Sequence, residues 1–337
     1  MPITKISLSN FRCFKNLELS LSPGINFFFG SNGSGKTSIL ESVFIFSSGK
    51  SFKSSNLTSL INYDNDKFIL KGFDNKKGYI VEIEKSKNKT ISISLNNNKT
   101  NTSKLVKEFP CTPIHNNTFS FADASPDFRR KLVDRSIFIA EDNFSKVWFS
   151  FYRSLRQRNF LLKNNRISDI YNWNTKLADE AEKLTKYRKD FFEKTLNEFY
   201  LLINLLKPED VFDFFNFIKI EFSQGWAPEK SYLDVLNENK DIDIKRRSTT
   251  SGPHKSDIKF FINDIDARQI LSRGEQKFFS IIWSCAQHEV LKKHYEIDAT
   301  LLIDDIKSEL DERVFKLFSD LLNHCLLYTS DAADEHS

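Results

Sequence analysis

Eight residues constrain this chain more than any others. Gly30-Ser31-Asn32-Gly33-Ser34-Gly35-Lys36-Thr37 fits the pattern G-x-x-x-x-G-K-S/T at every fixed position. The loop stands between an apolar run, Ile25-Asn26-Phe27-Phe28-Phe29, and a helical pattern from Ser38 to Phe46. That order predicts a strand over 25–29, a glycine turn and a helix, which is α/β architecture. Glycines let backbone N–H groups curl around phosphate oxygens, and the helix N-terminus adds positive potential. In such a loop Lys36 reaches the β- and γ-phosphates of ATP and the Thr37 hydroxyl ligates Mg²⁺. Gly30, Ser31, Asn32, Gly33, Ser34, Gly35 and Ser38 then line the cradle. The competing reading is a glycine-rich strand–helix turn that binds nothing; a strand pattern before it and a helix pattern after it weigh against that.

Two distant segments fit the same chemistry. Leu301-Leu302-Ile303 is a continuous apolar run, as expected for a strand buried on both faces, and it ends in Asp304-Asp305. Asp304 is a second Mg²⁺ ligand and Asp305 a carboxylate to face the attacking water; seen alone, the pair would be acids capping a strand. Leu271-Ser272-Arg273-Gly274-Glu275-Gln276-Lys277 opens a helical segment. There Ser272 and Gly274 form another anion-binding helix end. The simplest arrangement giving one ATP two such ends has Ser272 of one subunit closing over the ATP held by Lys36 of another. An ordinary N-cap is the alternative for Ser272.

Glycine and proline divide the rest. Seven of the ten glycines fall in the first 78 residues, and neither residue type occurs between Pro126 and Pro208. Long helices are expected in that window. Within it Trp173, Leu177, Ala181, Leu184, Tyr187 and Phe191 share one helical face, which reads as core packing. Strand patterns flank it: Ile6 and Leu8 alternate with polar residues, Tyr79/Val81/Ile83 and Ile91/Ile93/Leu95 suggest a hairpin, and Ile258 to Ile262 is a further strand. The organisation expected is one α/β lobe, residues 1–118 and 245–324, interrupted by a helical lobe, 119–244. The balance of 49 basic and 45 acidic side chains, net +4, permits nucleic-acid binding without arguing for it. No apolar run is long enough to span a membrane. The N-terminal residues lack a secretory signal, and Cys13, Cys111, Cys285 and Cys325 form neither a zinc ribbon nor a disulfide framework, so a cytoplasmic location is expected.

These stretches resemble the head of an ABC-type ATPase. The segment 271–277 is similar to the signature motif, and 301–311 to a Walker B strand followed by a D-loop, Ser308-Glu309-Leu310-Asp311. Asn10-Phe11-Arg12-Cys13-Phe14 looks like the N-F-R-x-F opening shared by RecF, SMC and Rad50 proteins. Ser125-Pro126-Asp127-Phe128-Arg129-Arg130, Leu155-Arg156-Gln157-Arg158-Asn159 and Ser251-Gly252-Pro253-His254-Lys255-Ser256-Asp257 narrow the resemblance to the RecF family, from about Lys5 to about Asn323. It implies a P-loop ABC-type ATPase head with a helical insertion lobe, dimerising around ATP and Mg²⁺. It further implies a weak DNA-dependent ATPase that binds single-stranded and duplex DNA at gap junctions. With RecR and RecO, such a protein promotes recombinase loading in repair, replication restart and the SOS response.

Carried over by residue, Lys36 and Thr37 bind nucleotide and metal, Arg12 lies near the nucleotide, and Asp304 is the metal-side acid. Asp305 is the catalytic carboxylate, Ser272 and Gly274 clamp phosphate in trans, and Asp311 is a dimer contact. Many ABC ATPases have Glu at the place of Asp305, so slow hydrolysis is expected. Arg129, Arg130, Lys245, Arg246 and Arg247 are candidate DNA contacts, a solvated charged face being the alternative. A transporter subunit is disfavoured, because Ser272 lies far from Lys36 with RecF-like stretches between. An SMC-like head that tethers DNA with little hydrolysis is the remaining alternative, although sustained heptads are missing. Two departures stand out. The segment Ala122–Ala124 lacks a glycine expected before the Arg-Arg pair. The tail, Cys325 to Glu335 within 325–337, resembles a translated sequencing adapter, so the natural chain is expected to end near His324.

Overall fold

The computed structural model describes residues 3–75, 77–115, 121–207, 212–304 and 312–327. Asp305, the D-loop Ser308–Asp311 and residues 328–337 of the tail lie outside them. By its contacts the chain forms two units, Met1–Thr118 with Leu291–Glu309, and Phe119–Val290 with Leu310–Ser337.

Alternation builds the first unit. Strand β1 (Lys5–Phe11) buries Ile6, Leu8 and Phe11 on one face. It pairs antiparallel with β2 (Phe14–Ser20) and β3 (Lys67–Asp74), and the sheet continues through β4 (Tyr79–Ser86), β5 (Ser92–Leu95) and β6 (Asn98–Lys99) in the order β2-β1-β3-β4-β5-β6. The expected hairpin is β4–β5, with Val81 opposite Leu95 and Ile83 opposite Ile93. All four are buried, so a one-residue slip would turn the whole set to solvent. Helix α1 (Lys36–Ser48) follows the glycine loop and is apolar on two sides. Ile39, Ile45 and Phe46 join the sheet's core, whereas Val43 and Phe44 pack with Cys111 and Leu302. Helix α2 (Thr102–Glu108) is capped by Asn101, which accepts from the Lys104 N–H. Strand β7 (Cys111–Ile114) pairs in parallel with Thr300–Ile303, named β11 below in chain order.

Two sequence expectations change here. Residues 25–29 are not a strand: no ladder reaches them among the described residues, and Phe27 and Phe29 are 82% and 94% exposed while Phe28 packs on the sheet's core. The apolar run is as read, but a strand also needs a neighbour to pair with. The segment 301–303 is a strand, yet only Leu302 is fully buried. Its one partner among the described residues is β7, so it is covered less completely than a central strand.

The second unit is helical at first, as the glycine- and proline-free window requires. Its helices are α3 (Pro126–Ala140), α4 (Phe144–Lys163) and α5 (Ile170–Leu206). Ser125 caps α3 and Pro126 occupies its first turn. Leu177, Ala181, Leu184 and Phe191 of the predicted stripe are buried on α5. Then β8 (Ile218–Ser223), α6 (Tyr232–Glu238) and α7 (Lys240–Arg246) lead to β9 (Asp257–Ile262) and β10 (Ile265–Asp266), an antiparallel sheet ordered β10-β9-β8. The pairing of β8 with β9 explains why residues 245–290, read from sequence with the ATPase lobe, group by contact with the helical one. Short α8 (Ala267–Ile270) precedes α9 (Arg273–Tyr295), within which the chain passes to the first unit, and α10 (Glu312–Leu327) follows β11. Trp283 of α9 centres an aromatic core, stacked on Phe121 at 5.7 Å and packed by Phe199 and Phe260.

Candidate nucleotide site

The glycines of the loop are there for different reasons. Gly33 (φ 84°) has open space where a Cβ would stand. Gly35 (φ 95°) does not: a Cβ would lie 2.3 Å from the Phe14 ring and 2.8 Å from Cys13 Sγ. The turn between β1 and β2, which carries the N-F-R-x-F residues, therefore backs directly onto the phosphate loop. Asn10 and Arg12 both adopt φ 54°, and the turn is tied down by Asn62, whose Nδ2 donates to the Arg12 carbonyl at 2.7 Å.

Arg12 does not project freely toward the loop. Its Nε and Nη2 donate to the two carboxylate oxygens of Glu41 at 2.8 and 2.9 Å. Glu41, on α1, is only 1% exposed and also accepts from Ser51 Oγ. A bidentate pair of this kind fixes orientation as well as charge, so Arg12 locks α1 against the turn beneath the loop. Sequence reading missed Glu41 and Ser51; the one available signal was a carboxylate inside the apolar run Ile39–Phe46.

Lys36 donates from Nζ to the carbonyls of Gly30 and Ser31, at 2.7 and 2.9 Å. The ammonium thus lies across the mouth of the loop it belongs to. Thr37 Oγ1 donates to Asp304 Oδ1 at 3.0 Å, across 267 residues of sequence. Here β11 delivers a carboxylate to the first turn of α1, and a hydroxyl and a carboxylate oxygen face one another.

Ser272 and Gly274 belong to the second unit. Glu275 Oε2 accepts from the Ser272 N–H at 2.7 Å, and Ser272 Oγ accepts from the Glu275 N–H at 3.4 Å, a capping box at the start of α9. Within one chain Ser272 is thus a cap. Gly274 has nothing within 4 Å of a would-be Cβ, which leaves the corner open to solvent.

The residues 2–326 match the family model "RecF/RecN/SMC N terminal domain". The chain is 30% identical over 328 residues to the DNA replication and repair protein RecF of Nitrosococcus oceani, covering 96% of this chain and 89% of that one. It is 33% identical over 317 residues to the RecF of Actinobacillus succinogenes, covering 93% and 87%. The chain belongs to the RecF family. Its fold is that of RecF and of SMC heads. A solved structure of the recombination mediator protein RecF-ATP in the RecFOR pathway superposes with a TM-score of 0.81 at 24% identity, over 95% of this chain and 89% of that one. An SMC head bound to a winged-helix domain of ScpA gives 0.56 at 16% identity, over 96% and 86%.

The three stretches that pointed to the RecF family from sequence converge on one buried net. Arg129 forms a bidentate pair with Asp257, both bonds 2.8 Å, and Arg130 donates to the Ser256 carbonyl at 2.7 Å. Arg158 donates to Asp243 and Thr249 at 2.7 Å and to Asn174 at 2.8 Å, and neighbouring Asn159 accepts from both Thr249 donors. Arg188 chelates Asp134 and also donates to the Pro253 carbonyl and to Ser256 Oγ. Arg129, Arg158 and Arg188 are all buried. Arg129 is therefore removed from the candidate DNA contacts, because its guanidinium is consumed inside the unit. Arg130 is nearly so, while Lys245, Arg246 and Arg247 remain exposed. The same Arg129 also donates to the Ala122 carbonyl at 3.3 Å, which holds the turn where the family glycine is missing.

Proposed function

We propose that this chain is an ATP-dependent DNA-binding ATPase of recombinational repair. In this reading it dimerises around ATP at single-strand gaps and acts in the cytoplasm with RecR and RecO to promote recombinase loading. The pathway comes from the relatives, one named for DNA replication and repair and one titled as a recombination mediator with ATP. The observation that carries the ATPase part is the 3.0 Å contact of Thr37 with Asp304 beside Lys36.

The donor set fits the metal. A threonine hydroxyl and a carboxylate oxygen are hard ligands of the kind Mg²⁺ takes with substrate phosphates, and Thr37 and Asp304 would hold it. Bound there, Mg²⁺ supplies neutralisation of the charge on the transferring phosphoryl group. The chain's own work is positional. Lys36 exchanges its two carbonyl partners for phosphate oxygens, a move that replaces neutral acceptors by charged ones. The N–H groups of 30–38 cradle the phosphates, and Arg12 acts through Glu41 by holding α1. Asp305 orients the attacking water; its side chain is one methylene shorter than Glu. A misplacement of about 1 Å costs roughly a hundredfold in rate, which suits a slow switch. Ser272 and Gly274 of a second copy would complete the phosphate shell in trans.

Equilibrium binding of a fluorescent ATP analogue tests the site. Lys36→Ala is expected to abolish saturable binding at concentrations that saturate the wild type; equal affinity would refute the assignment. Single-turnover hydrolysis with and without DNA then separates the two kinds of head. Stimulation by DNA supports the slow ATPase, and no detectable turnover in either case supports the SMC-like tether.

A further inference from the structure

Helix α4 has an outer face unlike any ordinary solvated helix. Its sequence, FSKVWFSFYRSLRQRNFLLK, contains no Asp or Glu. Its exposed residues are Lys146, Phe149, Arg153, Arg156, Phe160 and Lys163, every one basic or phenyl. They follow at intervals of three and four, so at 3.6 residues per turn they form one stripe. The order along it is cation, ring, two cations, ring, cation. Phe149 and Phe160 are 50% and 52% exposed. None of the four cations pairs with a carboxylate among the described residues: Lys146 reaches only Asn143 at 3.5 Å, and Arg156 only the Tyr152 carbonyl at 3.2 Å. Neighbouring α5 shows the usual case, its exposed face mixing Lys176, Lys183 and Lys186 with Asp179, Glu182 and Glu193.

We propose that the Lys146–Lys163 stripe of α4 is a binding platform for single-stranded nucleic acid. This rests on the reading that the chain engages DNA, and it names a surface for that contact. The four cations, none paired with a carboxylate among the described residues, stand about 10, 5 and 10 Å apart along the axis, a run of roughly 26 Å on which the phosphates of a strand can be neutralised. Two half-exposed phenyl rings, about 16 Å apart along the axis, give bases something to stack on, Phe149 being braced edge-on by Trp148 and Phe138; this is the combination that sequence-tolerant single-strand binders use. A duplex offers phosphates but hides its base faces, so it would leave Phe149 and Phe160 without partners. An acidic protein would satisfy the cations without calling for the rings.

The test is anisotropy of a labelled thirty-nucleotide oligo-dT across a salt series, using the full chain. Arg153→Ala with Arg156→Ala is expected to flatten the slope of log K against log salt by about 1.4, from about 0.7 per lost phosphate contact. Phe149→Ala with Phe160→Ala is expected to weaken binding about fivefold or more per ring at an unchanged slope. All four side chains are exposed, so far-ultraviolet circular dichroism should stay that of the wild type. If the wild type binds the oligonucleotide and both double variants bind it equally well, the platform is wrong while the DNA-binding reading survives. If the wild type binds no oligonucleotide, that broader reading fails first. Variants that keep the oligonucleotide but lose capture by purified RecR would assign the face to a protein and overturn the proposal.

Discussion

Buried charges at single residues give the sharpest expectations. Glu41 is enclosed, and Arg12 is its cationic partner, with 28% of the arginine side chain still in water. Arg12→Ala leaves a carboxylate buried with only Ser51 to answer it. The expected loss is roughly 3 kcal/mol, the low end for breaking a buried pair because Arg12 is partly hydrated. Urea unfolding of the single variant against Arg12→Ala/Glu41→Ala checks this, since the double variant should recover part of the loss. His254 gives a pH dependence. Burial pushes its imidazole down to about 4, helped by Lys255 and Arg130 and opposed by Asp243 and the Thr249 carbonyl. The unfolded chain takes up that proton near pH 6.5 and the folded chain does not, so stability is full above pH 6.5 and falls as pH drops toward 4. The slope should approach about 1.4 kcal/mol per pH unit, and His254→Asn should remove it; an identical pH profile in the variant would show that the histidine is not responsible. At this scale the phosphate loop and Asp304 were legible because their spacing is a chemical pattern. Glu41 was not, since nothing local announces a partner 29 residues away.

Elements differ in how much of themselves their own residues contain. A helix closes its hydrogen bonds within itself, so the window between Pro126 and Pro208 was enough to announce α3, α4 and α5. A strand is a relation between two segments. The hairpin β4–β5 was legible because both partners lie together in sequence, whereas 25–29 carries a strand's apolar run without a ladder among the described residues. The loop 249–257 is the opposite case: its shape comes from distant arginines. Asp243 accepts from Arg158 and from both donors of Thr250, and is fully buried. Asp243→Ala is expected to cost about 3–5 kcal/mol, because the Arg158 charge stays behind in the interior. A thermal melt should fall by about 10 °C or more, on the usual conversion for domains of this size. Asp243→Ala with Arg158→Met should recover much of it, as paired charges replaced by apolar packing often do. Gly252 stands where φ is 130° and a Cβ would meet Tyr232 Oη at 2.1 Å, so Gly252→Ala is expected to unfold this loop. Loss of the Tyr232 hydrogen bond to the Ser251 carbonyl, with the buried ring exposed to water, would register as a blue-shifted tyrosine absorbance.

For the molecule as a whole, the phosphate loop and the Ser272 corner lie in different contact units, and each is internally complete. The first has Lys36 satisfied by its own carbonyls; the second has Ser272 engaged in its own capping box. Neither therefore demands a partner for folding, and in the proposed dimer assembly becomes a matter of what ATP adds. A triphosphate drawn to Lys36 and the loop's N–H groups still presents oxygens to solvent, and the open corner at Gly274 offers a hydroxyl and a helix N-terminus to meet them. Ser272→Arg places a long side chain at that corner of the second unit and leaves the residues of the first unchanged. Nucleotide affinity of the monomer is then expected to stay within about twofold, since Lys36, Thr37 and Asp304 are unchanged. Dimerisation in ATP and Mg²⁺, read by analytical ultracentrifugation, is expected to be lost, while Ser272→Ala should weaken it by about a hundredfold or more, one charge-assisted hydrogen bond being removed at each of the two sites. An arginine variant that still sediments as a nucleotide-dependent dimer would mean that the second copy approaches through some other surface, and Ser272 would then be a helix cap and nothing more.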